Sequence, residues 1–600
     1  MSATEHAEHL HAPPTTFFRK YVWSTDHKVI AKQYLFTAFF FLALGGLLAM
    51  VIRWQLAYPL EPVPVLGSLL KNTFLFDSAG SVRPEGFNQA VTMHGTIMIF
   101  FVIIPILVGA FGNFLIPLHV GARDVAFPIL NALSYWLFLP AGLILFASFF
   151  VHEGPAAAGW TSYPPLSDLG PAATPGSGTG QVLWLFAIFF LGFSSILGGL
   201  NFLTTIIKMR APGLTWSRLP LVTWAQFVTA IFQTLATPVL ASATVMLLSD
   251  KLLGTSLFLP RGIHLTGDEP VAATGGGHPL LWQHIFWFYS HPAVYILILP
   301  GMGIASDLIA TFARKPIFGY TAMVASLVGI MGLGFIVWGH HMFMSGMDPK
   351  VGFVFMTSTM LIALPSGVKV FNWLGTLWNS SIRFSIPMLH ALSFVALFII
   401  GGLSGLYMAA TPVDIFIHDT YYIVAHFHYV VFGGTLFAVF GGLTFWFPKM
   451  FGREMNKKWG FLHWLLTFVG FNSAFFPMHF LGEAGHMRRI STATEYGFLQ
   501  DLQPMNEWIS WSAFLLGSAQ LIFLVNFLGS MSKGRKSEAN PWKSNTLEWT
   551  TASPVPYHNF DRIPTVYRGP YEYSSAEANG RGDWAPQDAP PDGRGHPAAH

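Results

Sequence analysis

His426 and His428 stand two apart inside an apolar run, HDTYYIVAHFHYVV. Residues two apart on a helix point about 200° around from one another, so the two imidazoles face nearly opposite sides. That arrangement serves poorly for chelating one ion and well for holding two separate cofactors. In FWFYSHPAVYILILPG, His291 and Tyr295 are four apart and therefore adjacent on one helix face. Pro292 between them kinks the helix and frees a carbonyl. In IVWGHHMFMSGMD, His340 and His341 are neighbours. Side chains on consecutive helical residues diverge by about 100°, so sharing one metal requires a local distortion or a helix end. His94, in FNQAVTMHGTIMIFF, would by itself read as a packing histidine. Ionisable groups inside apolar helices are costly and mark working sites. One alone more often bonds a neighbouring helix; here six stand in four segments.

Three neutral imidazoles, His291, His340 and His341, suit copper with a position left open for a small ligand. The chain contains no cysteine, which excludes disulfides, thiolate metal sites and a c-type heme attachment motif. Thiolate copper or covalent heme would have to come from another chain. If His426 and His428 are both heme axial ligands, two irons lie about a helix width apart, a short electron-transfer distance. His94 is then the candidate second imidazole for a low-spin iron. The other iron keeps its sixth position open toward the copper triad.

The elements that must position these groups are membrane helices. Only 10% of the 600 residues are charged and 16% are aromatic. Apolar runs long enough to cross a hydrocarbon core of about 30 Å recur from Tyr34 to Leu528. Backbone groups in lipid must be satisfied internally, which selects helices. About twelve spans are expected. They begin near Gln33, Val91, Ile129, Val182, Leu221, Leu280, Phe318, Val351, Phe384, Thr420, Gly460 and Trp511. The fold class is all-α, a polytopic bundle. Lys and Arg concentrate on one side, among them Lys28, Lys32, Arg123, Lys208, Arg210, Arg314, Lys315, Arg383, Lys449 and Arg453. The opposite loops carry few: Arg83, Lys251, Arg261, Lys350, Arg488 and Arg489. The positive-inside rule places both termini in the cytoplasm. Residues 1–32 read as a polar N-terminal segment without a cleavable signal, 33–530 as the catalytic bundle, and 531–600 as a Pro/Gly-rich arm. The arm's composition implies an extended, partner-bound or disordered segment. No internal repeat supports an inverted-repeat transporter, and no nucleic-acid partner is expected.

The chain resembles subunit I of the heme–copper oxidases over roughly residues 20–530. The resemblance is carried by FGNFLIPLHVGARDVAFP, SHPAVYILILPG, WGHHMF, ALPSGVKVFNWL, HDTYYIVAHFHYV and HFLGEAGHMRR, in this order. It implies a low-spin heme held by His94 and His428, and a high-spin heme held by His426. It implies copper on His291, His340 and His341, with Tyr295 resembling the tyrosine covalently joined to a copper ligand. Arg488 and Arg489 would hold heme propionates through charge-assisted bonds. Arg53 resembles the arginine bonded to a heme formyl, which favours A-type heme. His418 and Asp419 resemble ligands of a magnesium at the subunit II interface. A sodium or calcium site known in some relatives is put in doubt by Gln55.

Two proton paths are implied in the same way. Lys369, with Ser366, Ser306 and Tyr295, resembles the K pathway; a lysine in mid-span is costly unless it faces water. Asp124, with Asn113, Asn131, Tyr34, Ser134, Ser194 and Ser195, resembles the lower D pathway. The usual glutamate two residues after the first copper histidine is replaced by Ala293. Tyr289 and Ser290 stand just before that histidine, as in the subgroup with a Tyr-Ser pair, and one helical turn separates Tyr289 from Ala293.

The family divides by electron donor. Quinol-oxidising members carry polar residues where this chain has Leu44, Leu48 and Gly86, and only Gln89 remains. The expectation is therefore a proton-pumping cytochrome c oxidase that reduces O2 to water, with a quinol oxidase as the alternative. Nitric oxide reductases generally lack the linked tyrosine, so Tyr295 argues against them. The implied partners are a subunit II whose copper centre receives the electrons, subunit III and other membrane subunits. Cytochrome c, or a fused or associated heme c, would be the donor. The terminal arm is a candidate docking segment for a respiratory supercomplex. The expected location is the bacterial inner membrane.

Overall fold

The computed structural model describes residues 13–171, 174–260, 276–574 and 583–591. Arg261 and residues 592–600 of the terminal run lie outside the described residues. The described chain is helical, and its only β pairing is isolated bridges.

Among the described residues, eleven helices are long and apolar enough to cross a membrane. In chain order, with one shorter helix, they are α1 His27–Ala57, α2 Pro84–Val120, α3 Pro128–Phe150, α4 Thr179–Lys208, α5 Leu221–Leu253 and α6 Pro279–Ala313. There follow α7 Tyr320–Gly334, α8 Pro349–Leu377, α9 Ile386–Ala409, α10 Tyr421–Phe451, α11 Lys457–Glu483 and α12 Gly497–Lys533. Their starts follow local chemistry. Asp26, Asp348, Ser385 and Asn456 accept backbone N–H groups at the starts of α1, α8, α9 and α11. Proline occupies the first turn of α2, α3, α6, α8 and α9, where its missing donor costs nothing.

The expected span near Phe318 is the exception. α7 has only 15 residues and gives way to a 3-10 turn, Trp338–Met342. Its GIMGLG sequence is weakly helical, because glycine gains backbone freedom when the helix ends. The break is what allows two adjacent histidines to turn to one side.

The site-bearing helices are the enclosed ones. Of their central residues, α6, α2 and α10 bury 89%, 83% and 78%, whereas α8 buries 6%. α2 and α10 each contain π-helical stretches, Ile97–Ile103, Pro105–Gly112 and Tyr429–Leu436, adjoining their histidines.

The C-terminal segment differs from the expectation of an arm that buries nothing. It is irregular, yet Leu547, Trp549, Tyr571 and Tyr573 are buried against the basic end of the bundle. Glu548 pairs with His119 of α2 at 3.2 Å. Asp583 bonds Arg314 at 2.8 Å. Lys449 donates to the Thr551 carbonyl at 2.6 Å. The segment's mean composition is polar, but its few aromatics coincide with the gaps between helix ends.

Candidate active site

His291 leaves α6 next to its proline and is buried. Its Nδ1 lies 3.2 Å from His341 Nε2. One ligand nitrogen from each of His291, His340 and His341 lies within 4.8 Å of the others. Among the described residues this is the one such metal-ligand cluster. His340 Nδ1 lies 2.9 Å from Thr359 Oγ1, and that hydroxyl donates to Phe355 O at 2.6 Å. The hydroxyl therefore accepts the Nδ1 proton of His340, and Nε2 keeps its lone pair. His341 stacks on Trp287 with centroids 3.7 Å apart. The Tyr295 ring stands 4.7 Å from that of His291, and His291 Nε2 is buried without a hydrogen-bond partner.

The other three histidines are oriented by the same device. His94 Nδ1 faces Gly45 O of α1 at 2.8 Å, and His428 Nδ1 faces Val424 O at 2.8 Å. A carbonyl can only accept, so both rings carry hydrogen on Nδ1 and leave Nε2 open. His426 Nδ1 meets Ser404 Oγ at 3.1 Å, a hydroxyl that donates to Gly401 O. His428 stacks on Phe475 of α11, while His426 faces Ser404 and Gly405 of α9. The two rings thus address opposite neighbours. All six histidines, with Tyr295, Ser290 and Ser366, line a cavity of about 1160 Å³. That exceeds a drug-sized pocket.

Arg53 also lines the cavity. Its Nε donates to Ser510 Oγ and its Nη2 to Asn506 O, while its buried Nη1 has no partner. At the end remote from Asp124, Arg488 and Arg489 border the same space with His418 and Asp419. The Thr420–Met487 bridge and the bond from Arg488 N to Asp419 O at 2.9 Å hold these loops together. Arg488 Nε donates to Asp419 Oδ1 at 2.6 Å. Burial and the neighbouring Arg488 lower the Arg489 guanidinium to about 10, so a nearby anion would be welcome. His418 lies 3.4 Å from Asp414 and 3.7 Å from Asp419. Burial alone would lower its pKa, but the two carboxylates raise it. Sequence reasoning misses Asp414; its place four residues before His418 is the signal that could have found it.

Lys369 is 1% exposed, and its Nζ donates to Met323 O of α7 at 3.3 Å. That placement excludes a lysine reaching for a membrane face. Trp373, one turn on, donates to Ser306 Oγ at 2.9 Å and joins α8 to α6. Asp124 sits in the α2–α3 loop, where burial raises its carboxyl to about 7. Asn113 Oδ1 and both amide atoms of Asn131 are buried without hydrogen-bond partners. Beyond them, Tyr34 Oη lies 3.1 Å from Ser134 Oγ and 3.2 Å from Ser194 Oγ. Ser195 accepts from Gln233 Nε2 at 2.9 Å. Gln233 Oε1, Thr237 Oγ1 and Ser290 Oγ are further buried atoms without partners. Gln233 and Thr237 carry no sequence signal beyond being polar in α5. Tyr289 is buried but, unlike Ser290, does not border the cavity.

Five further histidines lie buried in the described helices: His27, His119, His390, His463 and His479. His119 meets Thr223 of α5 and Glu548 of the C-terminal segment, and His463 lies 3.3 Å from Gln520, whereas His390 Nδ1 has no hydrogen-bond partner.

The sequence matches the family described as cytochrome C and quinol oxidase polypeptide I over residues 29–515. It is 46% identical over 554 residues to cytochrome c oxidase subunit 1 of Synechocystis sp., covering 92% of each chain. It is 43% identical over 587 residues to an alternative cytochrome c oxidase subunit 1 of Bradyrhizobium diazoefficiens, covering 96% of this chain and 94% of that one. Its fold is similar to that of a heme-copper terminal oxidase solved as a dimer by cryo-EM, with TM-score 0.70, 18% identity and 85% of each chain covered.

Proposed function

The chain belongs to the cytochrome c and quinol oxidase polypeptide I family, and we propose that it is the catalytic subunit of a proton-pumping cytochrome c oxidase that reduces O2 to water. The observation that carries this reading is the convergence of six histidines on one cavity, four of them with Nδ1 hydrogen-bonded away and Nε2 open.

The residues present fit two hemes and one copper. His94 and His428 would hold a low-spin heme, His426 a high-spin heme, and His291, His340 and His341 the copper. The unpartnered Arg53 Nη1 fits a carbonyl substituent such as the formyl of heme A. Arg488 and Arg489 fit propionates, and His418 Nε2 with Asp419 would hold a magnesium with added waters, while Asp414 faces the other ring nitrogen and would orient the imidazole. When bound, hemes and copper supply the electron transfer and the O2 chemistry.

The chain's own residues orient and protonate. Tyr295 holds a phenolic proton beside His291, and the unpartnered His291 Nε2 supports a covalent join between the two side chains. Lys369 and Ser366 hold protons beneath that tyrosine, while Asp124, the two asparagines and the Tyr34–Ser134–Ser194 group hold the second route. Ser290 Oγ, aimed into the cavity, stands where a carboxylate is missing at Ala293.

Cytochrome c is preferred over quinol for a steric reason. A Cβ on Gly86 would meet the Leu75 backbone at 2.7 Å, so no polar side chain fits there. Gln89 gives its Nε2 hydrogens to the carbonyls of Glu153 and Pro155, so it has no donor left for a quinone oxygen. The basic helix ends support a cytoplasmic position for both termini in a bacterial inner membrane. Electrons would enter through a copper-bearing subunit II, with subunit III completing the complex. The test is O2 uptake by the purified complex in sealed vesicles, given reduced cytochrome c or a quinol. Uptake and outward proton release with cytochrome c support the reading; uptake with quinol alone sinks it.

A further inference from the structure

We propose that Asn559, supplied by the C-terminal segment, is a positioning residue for proton uptake at Asp124, holding His27 in one tautomer and fixing the loop that carries the carboxylate. This role rests on reading Asp124, Asn113 and Asn131 as a proton path. It gives the C-terminal segment a part in that path.

His27 is 0% exposed at the first turn of α1. Its Nδ1 lies 2.7 Å from the backbone carbonyl of Asn113. A carbonyl only accepts, so Nδ1 carries the hydrogen and Nε2 of the neutral ring offers a lone pair. That lone pair meets Asn559 Nδ2 at 2.9 Å. The second hydrogen of the same amide goes to Ala122 O at 2.9 Å. Asn559 Oδ1 accepts from Lys28 Nζ at 2.9 Å. Asn559 Oδ1 also lies 3.0 Å from His27 Nε2, and the bonds to Lys28 and Ala122 fix which way the amide faces.

Lys28 is fully occupied as well. Its remaining donors go to Tyr557 O at 2.8 Å and Asp26 Oδ1 at 3.0 Å. Asn559 is 0% exposed and adopts φ 62, a left-handed conformation that asparagine tolerates better than most residues. A single side chain from the arm thus clamps α1, the end of α2 and the α2–α3 loop.

The clamp closes on the proposed proton path. Ala122 is two residues before Asp124, whose Oδ1 accepts from Val125 N at 2.7 Å. The His27 backbone N–H also faces the Asp124 carboxylate. Asn113, whose carbonyl holds the His27 ring, presents a buried Oδ1 without a partner. The chain of dependence runs from Asn559 to His27 to Asn113, and from Asn559 to Ala122 to Asp124. Because the amide covers His27 Nε2, the imidazole is not a parallel proton carrier. Uptake is left to Asp124, with Asp26, Lys28 and Tyr557 as the other titratable groups around it.

The experiment uses the whole complex with Asn559→Ala and Asn559→Asp, beside Asp124→Asn. Heme content, O2 uptake and vesicle proton uptake are measured from about pH 6 to 9. Both Asn559 variants are expected to keep full heme content and lose roughly three- to tenfold in turnover. Asn559→Asp replaces a donor to Ala122 with a repelling acceptor and adds negative charge near Asp124. Its alkaline limb is therefore expected at higher pH than that of the parent. Unchanged turnover and pH profile in both variants, with Asp124→Asn inactive, would overturn the proposal and leave the path reading standing. If Asp124→Asn turns over at the parental rate, the path reading fails and the proposal falls with it. If both Asn559 variants lose heme, Asn559 is a folding residue and the proposal is wrong.

Discussion

Thr359 does for His340 what Gly45 and Val424 do for His94 and His428: its oxygen accepts the Nδ1–H hydrogen bond and leaves Nε2 open. Losing such a partner typically weakens a metal site about 10–100-fold. Thr359→Val is therefore expected to lower the copper-to-heme ratio of the purified protein while both hemes stay bound. A parental ratio would show that the hydroxyl is dispensable. Asp124 supports a prediction of opposite character. Burial raises its carboxyl to about 7, above the usual carboxylate range near 4. The folded state thus binds the proton more tightly than the unfolded state, and stability falls as pH rises between those values. Against Asp124→Asn, the parent should lose about 1–2 kcal/mol of relative stability from pH 4 to 7 and nothing further above; solvent contact holds the loss below the full shift. Heme-loss midpoints measured at several pH values would show this, and a constant difference would refute it. The histidines that line the cavity were legible in the sequence as candidates, since an imidazole in an apolar run is costly unless it binds something. Their orienting partners were not. Gly45, Val424 and Asn113 act through backbone carbonyls, which every residue possesses, so no residue type announces them.

At the scale of elements, composition and run length were enough to place the spans, because lipid admits little else. What they missed was the one helix that stops early. α7 ends at Gly334, and a Cβ there would lie 2.8 Å from the Phe232 ring and 2.9 Å from the Tyr295 ring. The two aromatics are themselves stacked, with centroids 5.8 Å apart, so neither can yield without moving the other. Gly334→Ala is expected to bind hemes and copper normally yet turn over roughly tenfold or more slowly, because Tyr295 is displaced from His291. Metal analysis beside O2 uptake separates this from simple misfolding. Full activity would mean that the aromatic pair adapts. The early stop depends on tertiary fit as much as on glycine propensity. That is why an apolar-run reading counts a full span from Phe318 while the structure stops the helix and follows it with a 3-10 turn.

Over the whole molecule, several cations that mark the basic side also hold the C-terminal segment in place. Lys28 donates to Tyr557 O, Lys449 to Thr551 O, and Arg314 pairs with Asp583. The charge asymmetry read as membrane topology is thus in part a docking surface for the chain's own tail. Averaging composition over residues 531–600 concealed this, because prolines and acidic residues dilute the TLEWTT and PYEY stretches that supply the buried contacts. One buried anchor is Glu548, 1% exposed. It accepts from Trp446 Nε1 at 3.1 Å and Thr546 Oγ1 at 2.8 Å, and pairs with His119. Removing one partner of a buried ion pair strands the other and costs about 3–5 kcal/mol. Glu548→Ala should therefore lower the thermal midpoint of the complex markedly, even though residue 548 lies outside the membrane helices and outside the heme cavity. Glu548→Gln, which keeps a hydrogen-bond acceptor for Trp446, should cost less. Equal midpoints for the parent and both variants would show that the tail lies on the bundle without stabilising it, and the segment would then be an appendage of the fold and not part of it.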